Sequence, residues 1–139
     1  MTQKKLISIG VPLILVFLAF AVSGCARNCP KDGEWKTGEE SGVTSLVVKS
    51  CTIPYVYYTI TVSGVQSSGT IAMLDTCRIE DNQQFNCPEI GYANPRYTVS
   101  GKFTVNTAEG QLLLAKGYHA ESGDLTEDVT LKWKASPPQ

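Results

Sequence analysis

The sequence predicts an all-β domain, an antiparallel β-sandwich of about eight strands, with a small closed β-barrel as the alternative. Three observations lead to this prediction. Short segments alternate apolar and polar residues with a period of two, and clusters of Gly, Asn, Asp and Ser separate them. No segment after position 24 has the periodicity of an amphipathic helix. The chain after that position is long enough for a single domain.

Residues 128–135 carry the clearest strand pattern, since Leu131 and Trp133 alternate with polar neighbours. Residues 97–105 alternate in the same way, and Gly101 in mid-strand indicates a bulge or a bend. Trp35 and Trp133 are expected to anchor the core. The other predicted strands are 34–37, 44–51, 55–62, 70–77, 84–87 and 111–119, with turns at Ser63-Gly64, Ser68-Gly69, Glu109-Gly110 and Ser122-Gly123.

The amino terminus has the order of a secretory signal. Lys4 and Lys5 precede an almost wholly apolar run over 6–20, and small residues follow it. The run is shorter than the roughly 20 residues that a membrane-spanning helix needs, and Pro12 interrupts it. The segment Val22-Ser23-Gly24-Cys25 resembles the lipobox of bacterial lipoproteins. The alternative is an ordinary cleaved signal with a cysteine nearby.

The resemblance to bacterial lipoproteins implies that the Cys25 thiol receives a diacylglyceryl group. Cleavage would fall between Gly24 and Cys25, and the new amino group is often acylated as well. The domain would then be held by lipid on the extracytoplasmic face of the cell membrane or the outer membrane. The expected organisation is a signal peptide over 1–24, a lipidated stem over 25–32, a β domain over 33–135 and a tail over 136–139.

The cysteine count is odd, and lipidation of Cys25 leaves four cysteines for two disulfides in an oxidising compartment. Three connectivities are possible. We favour Cys77 with Cys87, because residues 80–82 between them have the composition of a hairpin turn. By elimination Cys29 pairs with Cys51, which would tie the stem to the first strands.

The charge and cysteine patterns also disfavour several partners. The formal net charge is −1, or −3 without Lys4 and Lys5, and the charged residues are scattered, so no nucleic-acid partner is expected. The cysteines contain no Cys-x-x-Cys pair, which disfavours a zinc site. The acidic stretch 121–128 lacks the ligand spacing of an EF-hand loop. We therefore expect no metal and no cofactor.

A second resemblance covers most of the chain after the stem. Gly33 and Trp35 form a Gly-x-Trp opening, residues 97–103 a Tyr-x-Val-x-Gly-x-Phe strand, residues 108–110 an Ala-Glu-Gly turn, and residues 133–135 a closing Trp-x-Ala. These motifs resemble a secreted bacterial β-sandwich module with no assigned activity. The chain departs from that module shortly before the last strand, where Tyr118-His119-Ala120 stands instead of a cysteine. The resemblance implies a fold and no function.

The candidate binding surface is the strand over 55–62. Its alternation turns Val56, Tyr58, Ile60 and Val62 inward, and it leaves Tyr55, Tyr57 and Thr59 facing outward. An outward stripe of aromatic rings and hydroxyls can stack on sugar rings or contact a protein. An ordinary exposed strand is the alternative, since Tyr and Thr are common strand residues.

The leading functional hypothesis is a non-enzymatic, membrane-anchored binding or accessory module for an envelope protein or a glycan. One alternative is an inhibitor of a hydrolase such as a lysozyme or a protease, which requires a rigid protruding loop, and residues 88–95 beside Cys87 are the candidate. Another is a carrier of a small apolar ligand, if the strands close into a barrel. An envelope hydrolase would have to use His119, the one histidine of the chain, with a carboxylate.

Overall fold

The computed structural model describes residues 28–38 and 40–139. Within these residues eight antiparallel strands form one continuous sheet that curls into a half-barrel, in the order β4-β3-β2-β1-β10-β7-β6-β5, and β8 pairs with β9 in a separate ribbon. The strands are β1 Gly33–Thr37, β2 Val43–Lys49, β3 Thr52–Val62, β4 Val65–Ala72, β5 Gln84–Pro88, β6 Tyr97–Phe103, β7 Ala108–Leu114, β8 His119–Ala120, β9 Gly123–Asp124 and β10 Val129–Ser136.

The all-β, antiparallel prediction is confirmed. Ser63-Gly64 is the predicted turn, since φ is 51° at Ser63 and 79° at Gly64 and Val62 pairs with Val65. Two predicted turns are wrong: Ser68-Gly69 lies inside β4 and Glu109-Gly110 inside β7. The strand expected over 70–77 ends at Ala72, and the one expected over 111–119 ends at Leu114.

Gly101, predicted in mid-strand, and Gly110, predicted in a turn, both lie within strands and serve close packing. Gly101 pairs with Gly110, and these residues lie between Phe85 of β5 and Trp133 of β10. A Cβ atom on Gly110 would meet the Ser100 carbonyl oxygen and the Trp133 ring, both well inside contact distance. The missing side chains let the rings of Trp133 and Phe85 stack across two strands, with centroids 6.2 Å apart.

The hydrophobic core fills the concave side of the curled sheet. Trp35 and Trp133 are both buried in it, as predicted. Phe103 links them, because its ring packs edge-on against Trp35 at 5.0 Å and lies 5.7 Å from Phe85. The largest fully buried side chains are Trp35, Leu46, Ile53, Ile79, Leu112, Leu114, Val43, Val48, Val56, Val99 and Cys77.

The two disulfides join the favoured pairs, Cys29 with Cys51 and Cys77 with Cys87. A turn forms at residues 80–83 as expected, with the Gln83 N–H donating to the Glu80 carbonyl. Cys77, however, lies in an irregular segment after β4 and not on a strand facing β5. That segment is held against the start of β3 by hydrogen bonds between Ile53 and the Cys77 carbonyl and between Ile79 and the Cys51 carbonyl.

The described part of the stem, from Asn28 onward, is fastened to one end of the sheet. The backbone N–H of Ser50 donates to Asp32, and the Gln83 side chain donates to the Asn28 carbonyl at 2.6 Å. Gln83 immediately precedes β5, so the stem lies at the start of that strand. Cys25 and the signal peptide predicted over 1–24 lie outside the described residues. In the described part of the chain no helix is long and apolar enough to span a membrane.

Candidate functional site

The loop between β5 and β6, residues 89–96, is built around a buried carboxylate. Glu89 is 9% exposed, and all hydrogen bonds to its carboxylate come from Arg96. The Arg96 backbone N–H and Nε donate to Oε1 at 3.1 Å, and Nη2 donates to Oε2 at 2.8 Å. These bonds favour the ionised form, so the pKa of Glu89 is lowered from its ordinary value. We call residues 89–96 the braced loop.

Further contacts fix both ends of the braced loop. The Glu89 N–H donates to the Tyr97 carbonyl at 2.9 Å, and the Arg96 carbonyl accepts from Ala115 beyond β7 at 2.8 Å. The Arg96 guanidinium lies 5.0 Å from the centre of the Tyr92 ring, within cation–π distance. The Cys77–Cys87 disulfide lies two residues before Glu89. The loop is therefore held by an ion pair, backbone hydrogen bonds and a covalent cross-link.

The tip of the braced loop is apolar and exposed. Ile90 is 65% exposed and Tyr92 is 57% exposed, on either side of Gly91, whose φ is +89°. The sequence predicted a rigid protruding loop over 88–95, but it did not reveal the ion pair. A Glu and an Arg that flank a Gly-to-Pro loop are a weak signal, because most such charges remain in solvent.

The ribbon of β8 and β9 lies beside β3 and β4. Tyr118, just before β8, is half-buried and its hydroxyl lies 2.7 Å from that of Tyr58. Burial, together with this hydrogen bond, raises the pKa of Tyr118. The ribbon is also tied to β4, because the Ser122 N–H donates to the Ser67 hydroxyl at 3.1 Å.

His119 and Asp124 face each other on the ribbon, with Nδ1 and Oδ1 2.5 Å apart. The carboxylate that a hydrolase would need is thus present beside the histidine. Both side chains are about two-thirds exposed. In the described part of the chain Asp124 is the sole hydrogen-bonding partner of the His119 ring, and no hydroxyl or thiol is bonded to it as a nucleophile would be.

The predicted stripe lies on the outer face of β3. Tyr55 is 37% exposed, while Tyr57 and Thr59 are half-buried. The rings of Tyr55 and Tyr57 stack with centroids 6.4 Å apart, and the Thr59 hydroxyl lies 3.1 Å from that of Ser68 on β4. Tyr57 and Thr59 help to line a surface groove of about 520 Å³, which the sequence did not reveal because five other residues from β2 and β4 contribute to it.

Among the described residues no three His, Cys, Asp or Glu side chains come together as metal ligands would. The fold and its sites define a small, disulfide-braced β module with a rigid apolar loop at one end. Comparison of the chain with protein-family models, curated proteins and solved structures gives no match.

Proposed function

We propose that this protein is a lipid-anchored, non-enzymatic binding module of the cell envelope that recognises a protein partner through the braced loop. One observation carries the proposal: two exposed apolar side chains, Ile90 and Tyr92, lie on a loop that an ion pair between the buried Glu89 and the partly exposed Arg96 holds in place. Large apolar side chains that share an exposed, ordered loop are typical of protein-binding sites.

The rigidity of the loop supports binding for an energetic reason. A flexible loop loses conformational freedom when it binds, and each immobilised side chain costs about 0.5–1.5 kcal/mol. In the braced loop Arg96 is already held by Glu89, and Tyr92 lies against Arg96. Because Glu89 also neutralises Arg96, the loop presents mainly apolar surface, which fits an apolar cleft on a partner.

The position of the predicted lipid anchor also supports binding through the braced loop. If Cys25 carries the lipid, the chain between it and the disulfide-bonded Cys29 spans at most about 14 Å, at ~3.5 Å per residue. The stem contacts Gln83 at the start of β5, and the braced loop leaves from the other end of that strand. Five residues of β5 separate these ends by roughly 16 Å, so the loop would point away from the membrane.

For the scaffold we favour a partly closed barrel over a sandwich, because the hydrogen-bonded ladders run through all eight strands of the sheet. Core side chains occupy its concave side, which does not favour the carrier of a small apolar ligand. The exposure of His119 and Asp124 supports a non-enzymatic role, since catalytic acid–base pairs gain their strength from exclusion of water.

Site-specific photo-crosslinking of the full chain in its native envelope tests the proposal. A photoreactive phenylalanine analogue replaces Ile90 or Tyr92, and the control position is Val105, an exposed apolar residue between β6 and β7. We expect a discrete protein adduct from positions 90 and 92 and none from position 105. No adduct from the loop, or the same adduct from all three positions, would overturn the proposal.

A second variant pair tests the brace itself. Glu89→Gln removes the charge that holds Arg96, whereas Glu109→Gln removes an exposed charge that lies 3.6 Å from Lys102. The adduct yield at position 92 should fall in the first variant and stay unchanged in the second.

Mass spectrometry of the mature N-terminus tests the anchor, and an unmodified Cys25 or a different cleavage point would contradict it.

The hydrolase inhibitor is a more specific form of the same proposal, because inhibitor loops are exposed, apolar at the tip and rigid. It predicts that the crosslinked partner is a lysozyme or a protease. The purified protein should then slow that enzyme, and Tyr92→Ser should relieve the inhibition while Val105→Ser should not. An adduct with a protein that has no hydrolase activity would exclude this form and leave the binding module in place.

A further inference from the structure

A second site lies on the other half of the sheet, on the outer face of β1 to β4. It is a groove of about 520 Å³, within the size range of small-ligand sites. Strand residues line it, so their positions are fixed by the register of the sheet and not by a loop. Its lining residues are Glu34, Thr44, Ser45, Tyr57, Tyr58, Thr59, Ser68, Gly69 and Thr70.

The hydroxyl of Ser45 is the first feature that points to a ligand. Ser45 is only 5% exposed and pairs with Tyr57 in the sheet. Its hydroxyl makes no hydrogen bond to any residue that the structure describes. The hydroxyl is open to the groove and is not sealed in the core, so it can accept a hydrogen bond from a bound molecule or donate one to it. A hydroxyl group of a ligand in the groove would be such a partner.

The aromatic wall of the groove is the second feature. Tyr57 is half-buried, and its ring is stacked on that of Tyr55 with an interplanar angle of 24°. The ring is therefore held in one orientation before any ligand arrives. A fixed aromatic ring beside hydroxyl groups matches the two-sided chemistry of a pyranose, which has an apolar C–H face and a polar rim.

The charge of the lining selects among saccharides. Glu34 is the one charged residue among the lining residues, and no ion pair in the described structure engages it. A carboxylate accepts hydrogen bonds from hydroxyl groups and repels anions. We propose that the groove binds an uncharged saccharide, with a pyranose ring on Tyr57 and ring hydroxyls bonded to Ser45 and Glu34.

Calorimetric titration of the full chain, in a detergent without a sugar headgroup, tests this proposal. The probes are the neutral trisaccharides chitotriose, cellotriose and maltotriose, with trigalacturonate as the anionic comparison. We expect at least one neutral trisaccharide to bind and trigalacturonate to bind about tenfold more weakly. Loss of the Ser45 hydroxyl in Ser45→Ala should raise Kd about fivefold, and Tyr57→Ala should raise it about tenfold.

The controls separate this site from the braced loop and from misfolding. Tyr57→Phe keeps the ring and should bind almost as the natural protein does, while Tyr92→Ala in the loop should leave Kd unchanged. Glu34→Gln lies on the exposed surface and should abolish the discrimination against trigalacturonate even if Tyr57→Ala fails to fold. Absence of binding by all neutral probes, equal binding of trigalacturonate, or no effect of the groove variants would overturn the proposal without affecting the loop.

Discussion

Two buried tryptophans differ in one hydrogen bond, and this difference predicts unequal losses of stability for the same substitution. The Trp35 indole N–H donates to the Lys31 carbonyl at 2.9 Å. The Trp133 indole N–H is the one buried side-chain polar atom of the described residues that has no partner. Both rings pack in the same aromatic cluster, against Phe103 and Phe85 respectively. Phenylalanine at either position removes the N–H and keeps an aromatic ring.

The expected magnitudes follow from these contacts. The smaller ring should cost roughly 1–2 kcal/mol of packing at either position. Trp35→Phe additionally loses a hydrogen bond of about 1 kcal/mol, whereas Trp133→Phe removes an unsatisfied donor whose burial costs about 1–3 kcal/mol. Trp35→Phe should therefore be the more destabilising variant by roughly 2–4 kcal/mol.

Urea unfolding of the full chain in mild detergent, with the disulfides intact, measures this difference. Far-ultraviolet circular dichroism is the suitable signal, because each substitution removes one of the two tryptophans and so changes the fluorescence signal itself. The free energy of unfolding should fall with urea concentration at the same slope in both variants, so that a difference in midpoint reports a difference in stability. If Trp133→Phe lowers the free energy of unfolding as much as Trp35→Phe does, the unsatisfied N–H is not the cost that we assign to it.

Three further predictions concern packing, charge and cross-links. Gly110→Ala should cost about 3 kcal/mol, because its Cβ would overlap backbone, whereas Gly38→Ala, with open space around it, should stay within about 0.5 kcal/mol by thermal unfolding. Because the pKa of Glu89 is lowered in the folded state, its ionised form stabilises the fold at pH values above the ordinary pKa of 4.5, and stability should fall as the pH drops through the lowered pKa. Glu89→Gln should flatten that part of the pH–stability profile. Replacement of Cys77 and Cys87 by Ser should cost about 3 kcal/mol in urea unfolding, and an unchanged midpoint would contradict this.

Local patterns were sufficient for much of the fold. Alternation located the strands at β3 and β10 because one face of each packs on the core while the other meets solvent. Both disulfide pairs were anticipated, although the reason for one of them was incomplete. Cys77 meets Cys87 because the segment after β4 packs against the start of β3, and not because two strands face each other.

Glycine residues caused the main errors in the predicted turns. Ser68-Gly69 and Glu109-Gly110 have the composition of turns, yet both lie within strands. At Gly110 the reason is the ring of Trp133, which occupies the space of a side chain, and at Gly69 it is the ring of Tyr58. A single sequence shows that a side chain is missing, but only the packed structure shows what fills its place.

The candidate sites also combine features that the sequence predicted with features that only the structure revealed. The sequence by itself determined that Tyr55, Tyr57 and Thr59 share the outer face of one strand, because alternation along a strand is a local property. Only the tertiary structure decided that β2 and β4 add Ser45, Thr70 and other hydroxyl residues to make a groove, and that Glu89 is buried beneath Arg96. The physical reason is that both features depend on strand order and burial, which arise when distant segments pack together.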